Sequence, residues 1–367
     1  MKRRFRIDRR WAVSFALYAW LAAALPAGQL VDDRAITIES PQDIAARRQA
    51  LIDFLWGTPG FPAAKLPSSV ARNIASPVSG LHNLKRVDEI HISMDEGEQG
   101  LAYHFLADRS NGRLVLVHQG HGCTFDDSAA PAGKNYGMQR AINQLLTSGF
   151  SVLAVYMPHE IPGDCLGTAH HNSMLAGRST AGSPMKFFLE PVAVCLNYLQ
   201  ARSLADRFPK YREFDMVGFS GGGWAATVYA AIDLRISRSF PVAGSLPLYL
   251  RTGASVGDAE QTHASFYKIA GYLDLYVMGA YGAGRKQVQI LNRRDSCCFG
   301  EKQHDAGLMG IAWDAGVRGY ESRVQNALVH LGRKGSFRVE IDEESTGHML
   351  SPHAIVDVIL PSLSAQR

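Results

Sequence analysis

Residues 214–233 read FDMVGFSGGGWAATVYAAID. Phe214 to Gly218 is an apolar run suited to a short buried strand, and Trp224 to Ile232 has the small and apolar residues of a helix lying on a sheet. Between them stands Gly218-Phe219-Ser220-Gly221-Gly222, the G-x-S-x-G spacing that carries a serine on a strand-to-helix turn too tight for bulky flanking side chains. The following helix aims its first amides back at the serine, where they favour negative charge on a bound oxygen. Chance supplies the bare pentapeptide about 0.2 times in a chain of this composition, so its weight comes from the strand before it and the helix after it. The competing reading is a Gly-rich turn that merely lets a helix pack closely on a sheet.

Outward from this stretch, strands and helices alternate. Toward the C-terminus the pattern predicts strands at 238–243, 287–291 and 336–341, with helices at 316–331 and 353–360. Toward the N-terminus it predicts a helix at 186–201, a strand at 151–156, a helix at 136–147 and a strand at 113–118. Val87, Ile90 and Ile92 alternate with polar neighbours, as does 101–106, and Asp95-Glu96-Gly97 between them is turn chemistry, so these two form an antiparallel pair. The alternation implies a mostly parallel sheet covered on both faces. Farther out, 41–56 reads as an amphipathic helix against the body and 57–84, rich in Gly, Pro and Ser, as an extended connection. Two segments interrupt the pattern. Residues 158–184 read as a long loop at the ligand-binding end of the sheet, and 246–283 as a helical cap whose aromatics (Tyr249, Phe266, Tyr267, Tyr272, Tyr276, Tyr281) form its core.

The 367 residues are 46% hydrophobic and 20% charged, enough for a large core. The formal charge of +4 is concentrated at the start of the chain: residues 1–27 carry about +5 and the remainder about −1, so charge does not support a nucleic-acid partner. A basic region followed by an apolar run from Trp11 to Leu25 and then Pro26-Ala27-Gly28 reads as an export signal, with cleavage after Ala27. An uncleaved anchor is the rival, and Arg9-Arg10 also fits a twin-arginine signal. Either way the body is expected outside the cytoplasm, periplasmic or extracellular, with the anchor reading adding a membrane tether at the N-terminus. Of the five cysteines, Cys195 reads as a buried core residue and a Cys123–Cys165 disulfide is compatible with two loops at one sheet edge. The adjacent Cys297 and Cys298 are expected to have separate partners or to stay reduced.

A serine hydroxyl needs a base within hydrogen-bond reach, and the base needs an acceptor to fix its tautomer. His348 follows the last predicted strand and precedes the last helix, which makes it the expected base over His353. Asp295, just past the strand at 287–291, is the expected acid, with Glu301 and Asp305 as replacements and Asp274 less suited. Its competing reading is a surface ion pair with Arg293 and Arg294. The oxyanion donors are expected at the amide of Gly221 and, in the His118-Gln119-Gly120-His121-Gly122 loop, at Gly120 or His121. A metal site on His118, His121, His170 and His171 is the alternative use of these histidines, but no carboxylate accompanies them at a recognised spacing.

Taken together, VLVHQGHG, GFSGG, LNRRD and TGHM, in that order over 86–365, resemble an α/β-hydrolase of the serine esterase type. The resemblance implies a Ser220, Asp295, His348 triad and no cofactor; the expected fold is a mostly parallel central sheet flanked by helices with a cap insertion at about 246–283, and no metal is expected. The expected division is a targeting segment at 1–30, an N-terminal helix and arm at 31–85 and the hydrolase domain at 86–367. The expected activity is hydrolysis of an acyl or acetyl ester, on a small molecule or linked to a polysaccharide. Peptidase or thioesterase chemistry on the same machinery and a catalytically silent envelope binding protein are the alternatives.

Overall fold

The computed structural model describes residues 31–129, 136–177, 180–252, 256–304, 310–332 and 334–365. The targeting segment predicted at 1–30 lies outside them, and no helix among the described residues is long and apolar enough to cross a membrane. The predicted helix α1 (Pro41–Trp56) opens on a capping box. Ser40 Oγ accepts the Asp43 amide at 3.2 Å, the Asp43 carboxylate accepts the Ser40 amide at 2.8 Å, and Pro41 takes the first turn, where its missing N–H costs nothing. Ile44, Leu51, Leu55 and Trp56 of α1 are buried, and Arg48 Nε donates to the Ala231 carbonyl at 2.9 Å.

The segment after α1 contains a strand that the turn-rich composition did not predict. β1 (Ser69–Ile74) pairs antiparallel with the outer edge of β2 (Leu84–Ser93). It is mostly exposed, so no apolar alternation announces it. β2 and β3 (Gln99–Ala107) form the expected antiparallel pair. Then follow β4 (Leu114–His118), α2 (Met138–Thr147) and β5 (Ser151–Val155). The stretch predicted as a long loop is structured. It holds a hairpin, β6 (Glu160–Ile161) with β7 (Asp164–Cys165), and α3 (Thr168–Gly177).

A 3₁₀ turn at Pro184–Phe188 leads into α4 (Glu190–Ala201), then β8 (Phe214–Phe219), α5 (Gly221–Ile232) and β9 (Ile236–Val242). The insertion carries α6 (Ala259–Thr262), α7 (Ala264–Tyr267) and α8 (Tyr272–Ala280). β10 (Lys286–Asn292), α9 (Glu301–His304), α10 (Trp313–His330), β11 (Ser336–Asp342), a π-helical turn at Ala354–Ile359 and α11 (Leu360–Ser364) complete the chain.

The sheet runs β1-β2-β3-β5-β4-β8-β9-β10-β11. Its first three pairings are antiparallel and the remaining five parallel. With helices on both faces and helical insertions, this is the α/β-hydrolase fold. One face buries Val115, Val217 and Ile290 against Ile142 and Leu145 of α2 and Ile359 near the C-terminus. On the other, Tyr276 of α8 stacks on Phe337 of β11 with ring centroids 5.2 Å apart. Five of the six aromatics expected in the insertion's core, Tyr249, Phe266, Tyr267, Tyr272 and Tyr276, are buried, while Tyr281, just past the end of α8, is only half-buried.

The chain leaves β4 for β5 on one side and later returns to β8 on the other. In an open α/β sheet that reversal opens a crevice at the carboxyl ends of the two strands. His118 ends β4 and Ser220 follows β8, so both border it.

Cys123 and Cys165 are bonded, and Cys195 is free and buried. Cys297 and Cys298 are bonded to each other, against the expectation for adjacent residues. Their amides both turn onto Asp295 Oδ1, at 2.8 and 3.0 Å, in a tight turn that brings the two side chains together.

Candidate active site

Ser220 stands between β8 and α5 with φ +57° and ψ −127°, a backbone conformation that costs a non-glycine residue of order 1–3 kcal/mol. Neighbouring hydrogen bonds hold it there: its amide donates to the Val242 carbonyl at 2.9 Å, and its carbonyl accepts from the Gly223 amide at 2.8 Å. The flanking glycines are needed for close approach. A Cβ on Gly218 would lie 1.9 Å from the Gly222 oxygen, and one on Gly222 would lie 2.1 Å from the His118 oxygen.

The structure brings the predicted base and acid to this serine. His348 Nε2 lies 2.9 Å from Ser220 Oγ, and His348 Nδ1 lies 2.7 Å from Asp295 Oδ2. With the ring proton on Nδ1, the imidazole donates to Asp295 and Nε2 is free to accept from the serine hydroxyl. Asp295 is 1% exposed, so it is not the surface ion-pair partner of the competing reading. Arg293 instead pairs with Glu301, Asp314 and Glu343. That occupies Glu301 elsewhere, while Asp305 lies outside the described residues. Asp274 accepts from Thr37, and His353 faces Asp357, so neither belongs to this chain of hydrogen bonds.

Two residues that hold His348 in place carry no assignment from the sequence. Asn292 and Asp342 are register partners at the ends of β10 and β11. Asn292 Nδ2 donates to the carbonyls of Gly347 at 3.1 Å and Met349 at 2.7 Å, bracketing His348. Asp342 Oδ1 accepts the amides of Glu344 and Ser345 at 2.9 Å each, and its Oδ2 accepts from the Ser351 hydroxyl. An aspartate ending a strand ahead of Glu343-Glu344-Ser345 is an Asx-turn signal that could have located Asp342, whereas Asn292 has no local signal.

Opposite His348, the loop after β4 crosses the start of α5. A Cβ on Gly120 would lie 2.5 Å from the Gly221 nitrogen and 2.8 Å from Ser220 Cβ, so this backbone passes directly over the serine. Gly221 opens α5, so its amide has no intrahelical acceptor. Among the described residues no backbone carbonyl takes up the amides of Gly120 or His121. These are the donors predicted for a developing oxyanion, gathered at the crevice.

Of the four histidines in the alternative metal reading, only two meet. His118 is fully buried and its Nδ1 lies 2.8 Å from its neighbour's carbonyl, while the His170 ring packs on His159 at 3.9 Å. His121 Nε2 and His171 Nδ1, however, are 3.1 Å apart. Carboxylates stand beside them: Glu160 with both rings, and Asp258 and Glu260 with His121. Burial, and secondarily the charge of His348, holds the His121 imidazole down to about 4, and burial likewise holds His171 at about 4. Burial, reinforced by Asp258 and Asp164, pushes the Glu160 carboxyl up to about 7.

No protein-family model matches the chain, and no curated protein matches it in sequence. Its fold is similar to those of several solved structures. A methylesterase aligns with a TM-score of 0.54 at 13% identity over 87% of this chain, which spans 62% of the methylesterase. A glucuronoyl esterase from Solibacter usitatus aligns at 0.54 with 12% identity, over 86% of this chain and 91% of that one. An acetyl xylan esterase from Paenibacillus sp. R4 aligns at 0.51 with 13% identity, over 90% and 96%. At such identities the shared property is the α/β-hydrolase fold.

Proposed function

We propose that this protein is an exported serine hydrolase that cleaves a carboxylic ester through an acyl-enzyme on Ser220. The observation that carries the reading is the unbroken Ser220–His348–Asp295 chain of hydrogen bonds, at 2.9 and 2.7 Å, beside the amides of Gly221 and the Gly120–His121 loop. His348 Nε2 takes the Ser220 proton as Oγ attacks the carbonyl carbon, and Asp295 stabilises the imidazolium that forms. Negative charge on the tetrahedral oxygen falls to the amides of Gly221 and of Gly120 or His121. His348 then returns the proton to the departing alkoxide. Water, deprotonated by the same imidazole, attacks the acyl-enzyme and releases the acid and free Ser220.

The substrate class favoured is an ester borne by a polysaccharide, acetyl or uronate-linked. Its support is the names of the proteins with similar folds together with the basic and apolar N-terminal segment, which favours export.

The purified protein, assayed on p-nitrophenyl esters of increasing chain length and on acetylated polysaccharides, is expected to hydrolyse short acyl esters. Ser220→Ala is expected to abolish both that activity and covalent labelling by a fluorophosphonate. Full retention of either in the folded variant would sink the assignment.

A further inference from the structure

Four chain segments converge beside the candidate active site: the loop after β4 through His121, the β6–β7 hairpin through Glu160, α3 through His171, and the insertion through Asp258. The ligating atoms of His121, Glu160 and His171 all lie within 4.8 Å of one another, as do those of His121, Asp258 and Glu260. Asp258 Oδ2 is 3.8 Å from His121 Nε2. We propose that His121 Nε2, His171 Nδ1 and Glu160 form a zinc site beside the loop over Ser220, with Asp258 of the insertion bordering it through His121.

Three observations beyond proximity support a cation here. The first is the tautomer of His171. Its Nε2 lies 2.7 Å from the Pro158 carbonyl, to which it can only donate, so the Nδ1 lone pair is left facing the cluster. Metal-binding histidines are oriented in this way by a carbonyl or carboxylate on the far ring nitrogen. The second is that buried carboxylate oxygens stand without partners. Glu160 Oε1 and both oxygens of the fully buried Glu260 have no hydrogen-bond partner among the described residues. A buried carboxylate oxygen left without a donor is unfavourable, and a coordinated divalent ion satisfies it. The third is geometry. Two Zn–N bonds of about 2.05 Å span nitrogens 3.1 Å apart at an angle of about 100°, close to tetrahedral.

Arg251 is the cation that tempers the acids from the other side. Its Nε donates to the Leu246 carbonyl and its Nη1 to those of Val256 and Gln261, while Nη2 has no hydrogen-bond partner among the described residues, and its charge lowers Asp258 and Glu260 less than burial raises them. Two imidazoles with carboxylates suit Zn²⁺ better than Mg²⁺ or Ca²⁺, which favour all-oxygen sites. Without metal, the same 3.1 Å contact is a hydrogen bond from His121 to His171.

The test is calorimetric titration of the chelator-treated full chain with Zn²⁺. One equivalent should bind, with affinity reduced at least 100-fold in His171→Ala and in Glu160→Gln, and unchanged in Ser220→Ala. The last variant separates this proposal from the hydrolase reading, because binding is read without turnover. Co²⁺ loading of the parent protein provides a readout that does not rely on the variants folding: intense visible bands of a four- or five-coordinate ion are expected. Substoichiometric binding, binding that both ligand variants leave unchanged, or the weak bands of six-coordinate Co²⁺ would each overturn the site.

Discussion

Replacing Asp295 by asparagine is the sharpest probe of the proposed chemistry, because the structure decides how the new side chain must point. Asp295 Oδ1 accepts two amides, from Cys297 at 2.8 Å and Cys298 at 3.0 Å, and Oδ2 faces His348 Nδ1 at 2.7 Å. The amide oxygen of an asparagine will keep the position that faces two N–H donors, since reversal would set three donors against one another. Its NH₂ group then points at His348 Nδ1. That nitrogen can only accept, so the ring proton moves to Nε2, the atom 2.9 Å from Ser220 Oγ. An imidazole protonated at Nε2 cannot take the serine proton. Tautomer inversion of this kind lowers kcat by about 10⁴, and at 1.36 kcal/mol per tenfold that is about 5.4 kcal/mol of lost transition-state stabilisation. The fold should survive, because the substitution is isosteric and both amide bonds persist. The assay pairs kcat and KM on p-nitrophenyl acetate with a thermal melt. The expected result is a collapse in kcat with a melting temperature within a few degrees of the parent. Activity within tenfold of the parent, or a loss of activity matched by loss of folded protein, would refute the reasoning.

Gly120→Ala sets a Cβ 2.5 Å from the Gly221 nitrogen and 2.9 Å from the Phe219 oxygen, both backbone atoms, so the loop must retreat from the serine. Loss of one oxyanion donor predicts a kcat reduced about 10²–10³-fold with KM little changed, and a kcat within threefold of the parent would place the second donor elsewhere. Acid stability should report His104, which is fully buried with Nε2 2.7 Å from the Tyr211 hydroxyl. Burial, and then the charge of Arg86, holds its imidazole down to about 3 from the usual 6.5. The unfolded chain therefore takes up a proton near pH 6.5 that the folded chain refuses until about pH 3. Stability falls as pH drops through 6.5, by up to about 1.4 kcal/mol per pH unit for this one proton. Denaturant melts of His104→Phe between pH 7 and 4 should show a shallower decline than the parent, and identical slopes would remove His104 from the acid response.

Much of the fold could be read locally. The Ser40–Asp43 capping box with Pro41 marks the start of α1, and apolar runs and alternation mark β2 to β5 and β8 to β11, because those signals depend on neighbours within a few residues. β1 escaped because an exposed edge strand carries no apolar period. The 158–184 segment reads as a loop because a hairpin of two-residue strands and a His-rich helix leave little periodicity.

Sequence alone determined the elbow at Ser220 and the identities of its candidate partners, since a G-x-S-x-G turn is a local steric requirement and the order of strands limits where a base and an acid can arrive. Tertiary structure alone decided how His348 is held, for Asn292 reaches its loop across 55 and 57 residues of chain. It also decided which of the four histidines in the metal alternative come together. His118 and His170 turn away, while His121 and His171, 50 residues apart, meet beside Glu160, with Asp258 next to His121. Spacing in sequence cannot report that convergence, because the separations between those residues are set by the sheet and its crossovers rather than by the pitch of any one element.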